Sequence, residues 1–361
     1  MDVVGVDVST KSCSSSHLDG DGGIKQCLEF ANDSSGWRVL EAALSPDSIV
    51  VLEAGTAAFP LHDYLKGKGH HVVTANPRRV RMIAASPSKT DRKDSLVLAQ
   101  LYRLGYLPEA HIPSPEILRI RDLVRAAIDV GRELTRTKNR VHALLTRSGL
   151  RPEYRTARAL FASEKRRRWL RSLRFGDHRD AVLQALLVQL EALEVQRRIL
   201  HGEIAAIGTE VSEVDLLMSI KGVDTFLALV IHAEIGDVRR FPTADALCAY
   251  AGLVPRVRQS GDVVVHGRIT KQGPSTLRWA VEMAARVAVR HDNPIGAKYR
   301  ALRHRKKKAP VAKTAVAHKM LRMIHAMLTR GERCRWEDAR ATDVKVMKMR
   351  RRARARKVSA G

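Results

Sequence analysis

The chain of 361 residues carries 64 Lys and Arg against 38 Asp and Glu, a formal net charge of +26. That length accommodates two or three domains, and no apolar run approaches the length of a membrane span. The first residues read as a strand rather than a secretory leader. Four cysteines (Cys13, Cys27, Cys248 and Cys334) have neither metal-ligand spacing nor the density of a disulfide framework, so reduced thiols are expected.

Charge is unevenly distributed. Residues 1–60 hold three basic and nine acidic residues, whereas 301–361 hold twenty basic and four acidic. A negative front and a positive tail point to a polyanionic partner.

Strand and helix signals alternate over the first hundred residues. Val3–Val8 reads as a buried strand, Gly20–Gly23 as a turn and Ile24–Phe30 as a possible strand. Trp37–Leu44 suggests a short helix, Ser48–Glu53 a second buried strand, Pro60–Lys68 a helix, and His71–Ala75 a third buried strand. Such alternation argues for an α/β sheet domain. Thr90 is the expected cap of a helix running from Asp91 to about Tyr106.

From Pro115 the pattern is helical nearly to Leu150. Arg132, Arg136 and Arg140 form one i,i+4 row, with Arg147 beyond it. Like charges at that spacing repel, so the row suits either a negative partner or a solvated face. Residues 163–174 add Arg166, Arg167 and Arg168 around one tryptophan. A heptad series follows: Leu183, Leu186, Leu190, Leu193, Arg197, Leu200, Ile204 and Ile207. That series favours a coiled coil and hence dimerisation through 180–208, with packing inside the monomer as the alternative. Ile220-Lys221-Gly222-Val223-Asp224 is a helix–turn–helix junction similar to a phosphate-binding hairpin. Residues after Arg335 are Arg-rich without a core pattern, as in a mobile tail.

Four acids stand out against this basic background. Asp7 interrupts an apolar run, Glu53 ends another, and Asp91 and Asp94 are three residues apart in Lys89-Thr90-Asp91-Arg92-Lys93-Asp94. Acidic residues are depleted in strands and costly in cores unless compensated. A divalent cation, Mg²⁺ or Mn²⁺, compensates all four with hard oxygen ligands. Their order matches an RNase H-like plan: the first acid on the first strand, the second at another strand's end, the last on a nearby helix. Asp7 shares a strand face with Gly5, whose missing side chain leaves room for a ligand. Two metals about 4 Å apart would activate an attacking oxygen and stabilise the leaving one.

Gly5-Val6-Asp7-Val8-Ser9, Val51-Leu52-Glu53-Ala54, Asn76-Pro77 and the Lys89–Asp94 segment resemble the N-terminal domain of a known group. These are the DEDD transposases of the insertion-sequence family numbered one hundred and ten, relatives of the Piv-type invertases. Ala249–Pro255, Gln259-Ser260-Gly261 and Gly267–Gly273 are similar to that family's C-terminal domain, and the motifs occur in the same order. The resemblance implies an α/β RNase H-like (RuvC-like) catalytic domain over 1–112, then a mostly helical region. That region comprises a basic helix and coiled coil over 113–210, a transposase domain over 211–335 and a flexible basic tail over 336–361. It implies a serine nucleophile, mapped to Ser260, that links covalently to DNA, with Arg268 and Lys271 as flanking phosphate contacts. It further implies donor and target DNA, a structured guide RNA, a tetramer on nucleic acid, and a cytoplasmic, nucleoid-associated protein. A site-specific invertase of the same architecture is the nearest alternative. A hydrolytic RuvC-like junction resolvase would need the acids and not Ser260, and a non-catalytic nucleic-acid scaffold would need neither.

Overall fold

Apolar side chains on both faces of one short strand set the N-terminal unit of the molecule. In β1 (Val3–Val8), Val4 and Val6 point into one cluster and Val3 into another, as expected for a strand covered on both sides. The computed structural model describes residues 1–83, 91–150, 160–260 and 263–359. They fall into two compact units, Met1–Pro113 and Ser114–Gly361.

In the N-terminal unit β1 is followed by β2 (Ser12–Leu18), β3 (Ile24–Ala31), α1 (Ser34–Ala42), β4 (Ile49–Glu53), α2 (Phe59–Gly67), β5 (His71–Ala75), α3 (Pro77–Ile83) and α4 (Asp91–Arg103). The sheet order is β3-β2-β1-β4-β5. β1 pairs antiparallel with β2 and parallel with β4, which pairs parallel with β5. Val4, Val6, Val50 and Leu52 pack on Leu40 of α1 and on Leu61 and Leu65 of α2. Val3, Ile49 and Val51 pack on Val80 of α3 and on Leu98, Ala99 and Leu101 of α4. This mixed five-stranded sheet agrees with the expected α/β class. β2 escapes the sequence reading because Ser-Cys-Ser-Ser-Ser-His-Leu shows no alternation of apolar and polar residues. Two of its buried hydroxyls are hydrogen-bonded, Ser16 to Ser95 at 2.8 Å and Ser15 to His17 Nε2 at 3.1 Å.

The second unit is helical. It contains α5 (Pro115–Arg147), α6 (Glu164–Ser172), α7 (Arg179–Glu210), α8 (Ser212–Met218), α9 (Thr225–Ile235) and α10 (Ala244–Tyr250). A hairpin of β6 (Pro255–Ser260) and β7 (Val263–Ile269) follows, then α11 (Ser275–Ala288), α12 (Pro294–His304), α13 (Ala309–Arg330) and α14 (Ala339–Ser359). One core joins Ile120, Val124 and Ile128 of α5 to Ile204 and Ala205 of α7 and to α9, α11 and α13. It therefore runs straight across the boundary expected near residue 210.

Two expectations need correction here. The leucine seam of α7 does not face solvent or a second chain: Leu183, Leu187, Leu190 and Leu193 are buried against Leu134, Val141, Leu144 and Leu145 of α5. Farther along, Ile204 and Ala205 enter the main core, while Arg197 is exposed. Heptad spacing reports a stripe that is buried and says nothing about whose helix buries it. The second correction concerns the tail. Residues 339–359 form α14, which seats Thr342 and Met349 in the core, and Lys345 Nζ donates to the carbonyls of Met218 (2.6 Å) and Ile220 (3.1 Å). Three anchors about one turn apart, Thr342, Lys345 and Met349, dock a helix whose composition is otherwise that of a disordered segment.

Candidate active site

Strand register places the first two acids together. Gly5 lies opposite Val51, and Val6 opposite Leu52, in the parallel β1–β4 pair. Asp7 and Glu53 follow at the carboxyl ends of these strands, on the face that also carries Gly5 and Val51. Neighbouring strands are about 4.8 Å apart, so the two residues stand at adjacent strand ends. Both residues are half-buried.

The face they occupy is the one under α4. A Cβ on Gly5 would lie 2.8 Å from the Ala99 amide nitrogen and well inside contact distance of the Ser95 carbonyl oxygen. The space at Gly5 is thus filled by helix backbone rather than held open for a ligand, which corrects the sequence reading. Gly5 is needed because α4 lies directly on β1. The direction of α4 follows from its other end. Arg103 packs its guanidinium against Gly22, just past β2, where Leu18 pairs with Val3 at the start of β1. The helix therefore runs antiparallel to β1, and its first turn, with Asp91 and Asp94, lies at the strand ends that carry Asp7 and Glu53. Asp94 is half-buried; the side chain of Asp91, like Thr90, lies outside the described residues. Among the described residues no three His, Cys, Asp or Glu stand close enough to hold a metal. Carboxylates are the donors a hard divalent cation prefers, and the strand ends bearing Asp7 and Glu53 lie at the same end of the sheet as the first turn of α4.

Two neighbours of Asp7 were not singled out from sequence. Ser14 faces it across the antiparallel β1–β2 pair and is buried. Cys13, on the adjoining position, has its thiol pushed up to about 12, first by burial and then by the Asp7 charge. A serine run inside a sheet is the only signal that marks either.

Ser260 belongs to the other unit. It closes β6 opposite Val263, and residues 261 and 262 lie outside the described residues. The hairpin's base is held by Thr270 N donating to Val254 O (2.9 Å) and Lys271 N to Gly252 O (3.1 Å). Val257, Val264 and Val265 are exposed, as are Arg268 and Lys271.

The basic residues divide into committed and available groups. Arg132 pairs with Asp129 (2.8 Å) and Arg136 with Glu133 (2.6 Å), so the repulsion within their row is offset on the same helix. Arg167 makes two bonds to Glu194 (2.6 and 3.0 Å) and donates to the Phe161 carbonyl, which makes it a tie between α6 and α7 rather than a free phosphate contact. Arg125 is likewise engaged by the buried Glu234 at 2.9 Å. Arg140, Arg147 and Arg168 are exposed and Arg166 is half-buried. The hairpin-like turn at 220–224 is packed on α11 and caps α9. A Cβ on Gly222 would meet Val287 at 2.9 Å, and Asp224 turns its own carboxylate on the start of α9, accepting from Leu227 N at 2.9 Å.

Comparison with known proteins agrees with this division. A DEDD transposase family model of the IS110 group matches residues 4–149, the unit with the acids and the helix after it. A second model, described as the transposase IS116/IS110/IS902 family, matches residues 214–300, which include the hairpin whose first strand ends at Ser260. The chain is 28% identical to the transposase-class protein y4qE of Sinorhizobium fredii over 74% of this chain and 72% of the relative. It is 30% identical to y4rJ of the same organism over 68% of this chain and 66% of the relative. It is 27% identical to the transposase for insertion sequence element IS1111A of Coxiella burnetii, over 67% and 66%. With an acid-bearing sheet matched by one model and a hairpin-bearing helical unit matched by the other, the chain belongs to the IS110 family of transposases.

Proposed function

We propose that this transposase cuts and rejoins DNA at a divalent-cation site made by Asp7, Glu53, Asp91 and Asp94, with Ser260 as the nucleophile. The observation that supports the reading most is that the strand ends bearing Asp7 and Glu53 and the first turn of α4 lie at one end of the sheet. Mg²⁺ or Mn²⁺ bound there would neutralise phosphate charge and polarise the phosphorus for attack. Supporting this reading, Asp7 and Glu53 end two paired strands, and the seat of α4 on Gly5 sets its first turn at the same end of the sheet. Ser260 Oγ forms a bond to phosphorus as the bond to one deoxyribose oxygen breaks. The serine loses its proton and the departing oxygen gains one, so phosphodiester energy is conserved for rejoining. Exposed Arg268 and Lys271 are suited to hold the flanking phosphates.

Target choice is assigned to a structured RNA that pairs with donor and target DNA, the exposed Arg140, Arg147 and Arg168 contributing backbone contacts. A second copy is assigned to the outer face of α7, since the leucine seam is consumed internally. Ala181, Ala185, Val188, Ala192, Val195 and Ile199 recur at alternating steps of four and three and are all exposed, Val188 by 67% and Ile199 by 59%. Laid antiparallel on itself, this stripe brings Val188 opposite Ile199, Ala192 opposite Val195 and Glu191 beside Arg198 of the second copy. The tetramer on nucleic acid would be two such pairs.

The test is cleavage of end-labelled element DNA with Mg²⁺. Asp7→Asn, Glu53→Gln and Asp94→Asn are each expected to lower the rate at least a thousandfold without loss of fold. Ser260→Ala is expected to abolish the protein–DNA adduct seen on denaturing gels. Adduct-free cleavage by Ser260→Ala at the wild-type rate would replace the serine reading with hydrolysis. Sequencing RNA that co-purifies from cells carrying the element checks guidance, random fragments counting against it.

A further inference from the structure

The docked C-terminal helix presents a ridge that none of the proposed chemistry uses. α14 carries nine Lys and Arg against one acid, Asp343. Its inner face is settled by Thr342, Val346, Met349 and Ala353 in the core, by Lys345 on the carbonyls of Met218 and Ile220, and by Arg356 on Glu203. On the side away from those anchors, Arg340, Lys348, Arg351 and Arg354 are all exposed, flanked by exposed Arg350 and Arg352. Among the described residues none of these six enters an ion pair. The basic ridge runs about 9 Å from Lys348 to Arg354 at 1.5 Å per residue, with exposed Val344 and Met347 between it and Arg340.

We propose that this ridge is a binding surface for the backbone of B-form duplex DNA. Charges fixed on a docked helix repel one another and gain most from a partner of regular negative charge. Arg352 and Arg197 together add positive charge around His201 of α7. Single strands are favoured by aromatic stacking platforms, and α14 contains no Phe, Tyr or Trp. Duplex RNA offers a deep, narrow major groove that side chains do not enter. A straight basic helix therefore fits the wider groove and backbone of B-form DNA, at about one charge per 1.7 Å of axis. The surface lies outside both stretches that match the family models. Only the choice of DNA over other polyanions rests on the transposase reading.

Full-length protein freed of nucleic acid is titrated into a labelled 30-base-pair duplex of arbitrary sequence, in EDTA, across a series of KCl concentrations. Because no cleavage occurs in EDTA, the outcome is independent of whether the acids and Ser260 catalyse. Arg340→Gln/Lys348→Gln/Arg351→Gln/Arg354→Gln is expected to lower the slope of log affinity against log salt by about three to four units, at roughly 0.9 per phosphate contact. Its affinity at 0.1 M salt is expected to fall more than a hundredfold. A control losing Lys11, Arg38 and Lys66 is expected to move the slope by less than about one unit. If the fourfold variant does not fold, Arg351→Gln/Arg354→Gln is expected to remove about two units, and Arg351→Lys/Arg354→Lys to restore them. A slope unchanged within one unit, or losses confined to an RNA duplex of equal length, would overturn the proposal.

Discussion

Gly5→Ala separates two accounts of why a glycine precedes the first acid. The added Cβ would lie 2.8 Å from the Ala99 amide nitrogen and closer still to the Ser95 carbonyl. Both are backbone atoms of α4, so no flexible tip can swing away, and the helix must retreat by well over 1 Å to restore ordinary contact. Overpacking of this kind costs about 1–3 kcal/mol, and the upper end applies where backbone meets backbone. Replacing a strand glycine returns roughly 0.5–1 kcal/mol, leaving a net loss of about 2 kcal/mol. For a unit of this size that is a fall of about 8 °C in its melting transition, at roughly 4 °C per kcal/mol. The retreat also carries Asp91 and Asp94 away from Asp7 and Glu53. A misplacement of about 1 Å costs on the order of a hundredfold in rate. Calorimetry and a cleavage assay at 20 °C, below either transition, measure the two effects separately. A variant with normal melting and lost activity would restore the open-space account, and one normal in both would refute the seat of α4 on β1.

The two stripes of α7 give opposite expectations. Leu190→Ala, in the buried seam, is expected to cost about 2–5 kcal/mol. Val188→Glu with Ile199→Glu, on the exposed stripe, is expected to leave melting nearly unchanged and convert a dimer to a monomer in sedimentation velocity. A dimer that survives the second variant sinks the outer-face pairing. Acidification supplies a further check. Burial holds the imidazoles of His201, His232 and His318 below their ordinary value of about 6.5. The unfolded chain therefore binds more protons than the folded one as pH drops through that value, and stability falls with it. The helical unit is expected to melt lower at pH 5.5 than at pH 7.5; an equal or higher transition would contradict it.

How much of this was legible in sequence depended on where apolar residues stand alone. β1, β4 and β5 are short apolar runs and were read almost to the residue. β2 was invisible because its burial is satisfied by hydroxyl bonds, to Ser95 and His17, that no periodicity records. In α7 the pattern was right and its meaning wrong. A heptad stripe against α5 inside one chain is written in the same letters as one between two chains, and the exposed stripe of small residues carries the weaker signal. α14 shows the converse: Thr342, Val346, Met349 and Ala353 are too few and too mixed to outweigh nine basic residues on paper, yet they suffice once α7 and α8 offer a surface.

The acids were legible for a different reason. Asp7 and Glu53 conflict with their local context, and a residue kept against its own strand's preference marks a requirement imposed from elsewhere. Geometry then supplies what the letters omit. Strand register puts the two carboxylates on one face, and Arg103 at Gly22 fixes the sense of α4, so that its aspartates arrive at the same end. The committed state of Arg167 was beyond reach by the same logic. Its conflict with a basic neighbourhood is resolved by Glu194, twenty-seven residues away on another helix. Only a structure separates an arginine that holds the fold from one that waits for phosphate.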